Sequence, residues 1–566
     1  MQIAAINRLV GELETRKRTP GDAGALLALL AALDRIEIRD TGLLARFHDA
    51  LLFLCAYPPT ERIRRRAESL LKRFHRRVAA LTGAGALDPQ LDPEISGIAG
   101  TSIAMNFSFE ATRWLVRRHP RQFAVDWEIE IPEDRLARVL LRLVPFLEEE
   151  AAADANVDYV EWLRATGAMA NDGGAQWLLR QIDHLPFSSR ERAALYDSMG
   201  LTIRWNLGDS EVTRTRMRRP PRTIFHQQTP LLSRREVSIE AELGAAPLPV
   251  RRLRRREGEA VLEMARGAMA TRYRELHGFT FGDASSCVSA DAGRGFEIVI
   301  AGIVAERRLP LRAGFGVLLF RNGVPVGYAD AFGVCERMEV SFNIFYSFRD
   351  GENAYCFARM LKLYRQLFGS TSFSIDPYQI GLGNDEAIEA GAFWFYRKLG
   401  FRPADPLVEA IVRREEERIA SDPRHRTSPR TLRRIARSPL FHETPRSPGD
   451  SWSTFCVHNL GLAIARRFAQ SGGSAAAFVD EARERVGRVL GIRDQTLLPP
   501  ERFALARLAP LVDSFPDLRR WSAQERAGMR EIILAKAAPR EQDYLRLLAR
   551  HTRFRDALLR LGSSRG

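Results

Sequence analysis

Two apolar runs, Phe315 to Phe320 and Val324 to Phe332, are separated by Arg321-Asn322-Gly323. Asn-Gly is the strongest short hairpin signal in a sequence, because the favoured two-residue turns need positive φ at their centre. The hairpin places a β-rich segment in the middle of the chain. Phe296 to Val304 is a further apolar, β-branched run ahead of it. Behind it Met338 to Phe345 alternates: Met338, Val340, Phe342 and Ile344 fall on one face, Glu339, Ser341 and Asn343 on the other. The period then returns to helical. Residues 257–277 form an amphipathic helical pattern before the strands, and Glu352 to Phe368 forms another after them, apolar at Phe357, Met360, Leu361, Tyr364 and Leu367. A strand at Thr371 to Ile375 and a helix from about Asn384 to Leu399 complete the segment, with Gly400 as a C-terminal cap residue.

Both flanks read as helical. Residues 22–36, 41–56, 61–82 and 108–118 carry apolar positions at three- and four-residue spacing, and Pro132-Glu-Asp opens a further stretch to about Glu150. After Asp450 the helical pattern resumes, broken at Ser471-Gly-Gly and at Pro499-Pro500. A chain of 566 residues exceeds a single core. The expected fold class is α+β: a mixed, mostly antiparallel sheet with helices on both faces, flanked by N- and C-terminal all-α regions. The expected division is a helical region over 1–204, a basic irregular connector over 205–256, a sheet domain over 257–405, a linker with a helix over 406–450, and a helical region over 451–566.

The longest apolar run, Gly24 to Leu33, is far short of the ~20 residues that cross a bilayer. The first residues, Met1 to Arg18, lack the pattern of a signal peptide. Five scattered cysteines without a CxxC pair suit a reducing compartment and speak against a zinc site or a disulfide framework. A cytoplasmic protein with no metal and no membrane partner is expected; the oligomeric state is not legible. The net charge of +15 rests on arginine, with only five lysines. Its cluster from Arg62 to Arg77 alternates with Ile63, Leu70, Leu71 and Phe74, which makes it the solvated face of a helix. Arg214 to Arg222 and Arg251 to Arg256 are linker or basic patch, and a nucleic-acid partner is the lesser reading of them.

Gly391-Ala-Phe-Trp-Phe-Tyr-Arg-Lys-Leu-Gly-Phe401 resembles the last helix of the GNAT (N-acetyltransferase) superfamily, matching it at Ala392, Tyr396, Lys398, Leu399, Gly400 and Phe401. Ser347 to Ala354 stands where that family has its pyrophosphate loop, and Arg349 and Ala354 match the loop's first and last positions. Its fourth position is Glu352, where the family has glycine. The resemblance covers about 150 of the 566 residues. It implies transfer of an acyl group from acetyl-CoA or another acyl-CoA to an amine on a small molecule or protein. The implied cofactor-binding set is Ile344, Tyr346, Arg349, Gly351, Asn353 and Ala354. A helix N-terminus exposes free N–H groups to an anion, whereas a carboxylate at Glu352 repels one.

The resemblance also implies that Tyr396 protonates the departing thiolate; the bland alternative is an aromatic packed with Phe393, Trp394 and Phe395. Glu339 suits the base that deprotonates the amine, or is a surface carboxylate beside Arg337. Ser341, Asn343, Asp376 and Tyr378 are substrate-binding candidates, or solvated strand and turn residues. Cys356 at a helix N-terminus has no histidine near it in sequence. Three functional readings stand: an acyl-CoA-dependent transferase, a transferase using aminoacyl-tRNA, and a binding or scaffold module that keeps the fold without the chemistry.

Overall fold

A computed structural model describes residues 3–19, 21–83, 96–129, 133–145, 159–167, 169, 172–445 and 452–563. The fold is mixed α+β, 56% helix and 13% strand. It divides into two units: Met1–Pro220 with His226–Thr229 and Glu263–Leu276, and Pro221–Phe225 with Pro230–Leu262 and His277–Gly566.

In the first unit the periodic stretches form helices Ala23–Asp34, Thr41–Ala56, Glu61–Lys72, Phe74–Gly83, Phe109–Arg118 and Glu133–Leu143. Pro132 and residues 146–150 of the last expected helix lie outside the described residues. Asp40, Thr60 and Ser108 begin three of these helices by accepting a backbone N–H three residues on. The region is not all-α, as the sequence suggested. β1 (Ser102–Met105), β2 (Phe123–Val125) and β3 (Ile203–Asn206) form an antiparallel sheet in the order β1-β3-β2. These strands are too short for alternation to show in sequence. Trp205, fully buried on β3, packs edge-on against Trp114 with ring centroids 5.6 Å apart.

The second unit is built on nine strands: β4 (Val250–Arg252), β5 (Val288–Gly293), β6 (Phe296–Gly302), β7 (Ala313–Arg321), β8 (Val324–Val334), β9 (Arg337–Ile344), β10 (Ser372–Ile375), β11 (Arg402–Pro403) and β12 (Leu440–Glu443), in the order β11-β12-β10-β9-β8-β7-β6-β5-β4. All pairings are antiparallel except β9 with β10. The expected hairpin forms, with φ of 48° at Asn322 and 78° at Gly323. The sheet outruns the expected 257–405 boundary at both ends. β4 lies in the supposed connector and β12 in the supposed linker, where each strand is only three or four residues long.

Helices lie on both faces. Phe315 stacks at 4.4 Å on Phe368 of the helix Asn353–Phe368, and Gly333, on the same face, meets Leu545 of the helix Glu541–Arg550. The opposite face, carrying Gly316, meets Gly278 of the helix His277–Thr280. The C-terminal helices are therefore part of this unit. Tyr544 donates to the Leu311 carbonyl at 2.5 Å, and Arg308 donates to the carbonyls of Lys536, Ala538 and Pro539. They break where the sequence indicated: Val457–Ser471 ends at Gly472, and Pro499 opens Pro499–Val512. The pattern over 257–277 resolves into Arg255–Ala270 and the separate turn at His277–Thr280. A Cβ on Gly278 would lie 2.7 Å from the Gly316 Cα. Gly278→Ala is expected to cost about 1–3 kcal/mol in urea denaturation, because backbone, not a flexible side chain, must move.

Candidate functional site

β9 follows β8 through a tight turn, and its register settles which side chains share a face. Glu339 pairs with Phe332, Ser341 with Asp330 and Asn343 with Tyr328. The polar face read from sequence is thus real, and it holds a carboxylate from β8. On β9's other edge, β10 pairs in parallel at Arg337, Met338 and Glu339 only. Beyond Glu339 the strand runs on to Ile344 while β10 ends at Ile375, so the ladder stops and leaves the Val340 to Ile344 edge, a wedge met by Phe395 and Tyr396.

The wedge carries Tyr396. The helix expected over Asn384 to Leu399 is two short helices, Asp385–Glu389 and Ala392–Arg397, because Gly391 adopts φ +64° between them. This break aims Phe395 and Tyr396 at β9. Phe395 stacks on Phe342 at 6.1 Å, with ring planes 6° apart. The Tyr396 phenol hydrogen-bonds with the Phe342 backbone. Its ring is 3% exposed and lies 5.5 Å from Phe357 and 5.9 Å from Phe401. Burial raises the phenol's pKa, so it stays protonated through the neutral range. Tyr396 is thus both the packed aromatic and a hydroxyl on a strand edge.

Glu352 is the departure that carries most structure. It is the N-cap residue of Asn353–Phe368 and is 0% exposed. Its carboxylate accepts from Arg321 at 2.8 Å and from the Leu232 backbone N–H at 3.0 Å, and it is paired with Arg294. Arg321, itself 0% exposed, lies between Phe225 and Phe296 at 5.2 and 4.5 Å. The arginines come from the β5–β6 turn and the end of β7. These partners hold the carboxyl pKa below its ordinary value against the cost of burial. The position where the motif would seat a phosphate is taken by the chain's own anion.

The other implied cofactor residues are engaged nearby. Arg349 pairs with Glu386 at 2.8 Å and lies 3.7 Å over the Tyr346 ring. Tyr346, 63% exposed, donates to the same carboxylate at 2.9 Å. Asn353 donates to the Arg349 carbonyl, Gly351 donates to the Phe348 carbonyl, and Ile344 and Ala354 are buried. Glu339 is half-buried between Arg312 at 3.1 Å and Arg337 at 3.2 Å. Ser341 and Asn343 are half-buried beside it. Asp376 caps the turn Pro377–Ile380, and Tyr378 is 54% exposed. Burial pushes the Cys356 thiol up to about 12, which leaves it un-ionised and a poor nucleophile.

Sequence reasoning missed Arg294, Arg321 and Asp330. The first two gain meaning only through the tertiary pairing with Glu352. Asp330 did carry a signal: it is the only charged residue in the strand Val324–Val334.

The second unit is therefore an antiparallel-dominated sheet with one parallel, partly separated strand pair and an aromatic hydroxyl at the separation. No protein-family model, curated protein or solved structure matches the chain. Among the described residues no helix is long and apolar enough to cross a membrane, and no His, Cys, Asp and Glu cluster could hold a metal ion.

Proposed function

We propose that the second unit is a GNAT-like acyltransferase domain that moves an acyl group from a thioester donor to an amine at the wedge between β9 and β10. The observation that carries this reading is the strand edge from Val340 to Ile344, left by β10 and met by the Tyr396 phenol. An extended donor arm with amide groups can pair with such an edge as an added strand does, with its sulfur beside a protonated hydroxyl. The resemblance of the Ala392 to Phe401 segment supports the same reading.

The donor's phosphates are not what this protein recognises. A pyrophosphate at the start of Asn353–Phe368 would have to displace Glu352 from Arg294, Arg321 and the Leu232 N–H, and Arg349 is held by Glu386. Recognition falls on the thioester arm, as in acetyl-CoA or a simpler acyl-pantetheine. The second reading, a scaffold that keeps the fold without the chemistry, is favoured by the same buried Glu352. Amine-dependent release of free thiol separates the two. The transferase releases thiol from both S-acetylpantetheine and acetyl-CoA, whereas the scaffold releases it from neither.

A further inference from the structure

We propose that the outer edge of β4, with the cavity beside it, is a docking site for an extended acidic peptide, which joins the sheet as an added strand. The site stands apart from the wedge and does not depend on the transferase reading. It takes in Arg251 and Arg252, the start of the arginine cluster that the wedge leaves unused.

β4 is the last strand of the sheet and pairs only with β5 among the described strands. Its register decides which peptide groups are committed. The Asp291 N–H donates to the Pro249 carbonyl at 3.0 Å, and the Leu253 N–H to the Cys287 carbonyl at 2.9 Å. Alternate residues of an antiparallel pair bond to the same neighbour, so Pro249, Arg251 and Leu253 face β5. The N–H and C=O groups of Val250 and Arg252 therefore point away from the sheet. Among the described residues no hydrogen bond reaches them. Val250 is 37% exposed. An extended chain can pair with such an edge through its own backbone.

A cavity of about 320 Å³ borders the same edge, lined by Val250 and Arg251 and by Arg222, Asp291 and Glu297. Arg251, Asp291 and Glu297 share one face of β4 to β6, so every second side chain of an added strand lies on the cavity side. Glu297 accepts from the Ser289 hydroxyl at 2.5 Å, and Asp291 accepts from the Gly293 N–H at 2.8 Å. Arg251 is paired with Glu257. Arg222 and Arg252 are exposed, and among the described residues neither has an ion-pair partner.

These features select the occupant. Two uncompensated guanidinium groups favour an acidic partner. A nucleic acid would bring phosphates against Asp291 and Glu297 and leave the free peptide groups unmatched. A second copy of this chain would set the arginines of one β4 against those of the other, like charges directly opposed. The three-residue length of β4 further discourages self-pairing. An acidic peptide places carboxylates toward Arg252 and uncharged polar side chains over the cavity, where both signs of charge are present.

The test measures fluorescence anisotropy of a fluorescein-labelled Thr-Glu-Thr-Glu-Thr-Glu-Thr peptide with the full chain. The probe should bind, more weakly as salt is raised. Two further probes carry N-methyl groups on only the Thr or only the Glu nitrogens and keep the same charge. One should bind at least about tenfold more weakly than the other, because only alternate nitrogens face β4. Val250→Pro removes one outward N–H where an edge strand tolerates proline, and Arg252→Glu reverses an exposed charge. Each should weaken the unmethylated probe at least about tenfold at an unchanged melting temperature. Arg252→Glu carries the comparison should Val250→Pro melt early. Equal binding of the two methylated probes overturns strand addition, as does wild-type affinity in both variants. Tighter binding of a labelled oligothymidylate than of the peptide overturns the acidic peptide in favour of nucleic acid. Failure of the unmethylated peptide to bind overturns the site and leaves β4 as an edge blunted against aggregation.

Discussion

Replacing Glu352 with alanine lowers the stability of the second unit by about 3–5 kcal/mol, the range expected when one partner of a buried ion pair is removed. The loss is large because Arg321 is 0% exposed and would be left without the carboxylate that accepts its guanidinium. Arg294 and the Leu232 N–H lose the same acceptor. Replacing Arg321 with methionine together with Glu352 with glutamine should recover part of the loss, since the double variant removes the fully buried guanidinium from between Phe225 and Phe296 and leaves only the partly exposed Arg294 without its carboxylate. The pH dependence has a definite sign. The folded carboxyl lies below its ordinary 4.5, so its contribution is fully present above that pH and is lost as pH falls through the folded value. Urea midpoints between pH 7 and pH 3 should fall more steeply in wild type than in Glu352→Gln. Equal slopes would mean that the carboxylate is not the stabilising charge.

The second large effect is expected at Tyr396. Tyr396→Phe keeps the ring contacts with Phe357, Phe395 and Phe401 and removes only the hydroxyl. Its stability cost should stay within about 0.5–1.5 kcal/mol, that of one hydrogen bond. Its rate of thiol release should fall by at least about 100-fold, as for loss of a general acid. Tyr396→Ala should instead lose several kcal/mol, because it empties a fully packed aromatic position. A phenylalanine variant with wild-type kcat would reduce Tyr396 to a core residue.

Local signals led to the right elements wherever a short stretch carried the physics. The Asn322-Gly323 turn, the alternation from Met338 to Ile344 and the periodic helices at both ends all reappear. Where partners are distant in the chain, the reading failed for an identifiable reason. β4 and β12 are strands only because β5 and β10 offer them an edge, so the sheet domain seemed to end near residue 405. Gly391 read as part of a continuous helix, yet its left-handed conformation is what turns Tyr396 toward β9. Glu352 was visible as a misfit in a phosphate loop, but its fate depended on two arginines from other strands. Glu339 and Asp330 show the same limit. Sequence ranks carboxylates by the face they occupy, whereas the fold sets their surroundings: burial raises the Asp330 carboxyl, and Glu339 is paired with Arg312 and Arg337.

The central claim is transfer at the wedge from a donor recognised through its thioester arm. Its most direct test compares kcat/KM for amine-dependent thiol release from S-acetylpantetheine and from acetyl-CoA under the same conditions. With the phosphate position filled by Glu352, the two values should agree within about threefold, less than 1 kcal/mol of differential binding. A preference for acetyl-CoA of more than about tenfold that disappears in Arg349→Ala would contradict the account, because it would place a recognised pyrophosphate at the loop that Glu352 is held to occupy.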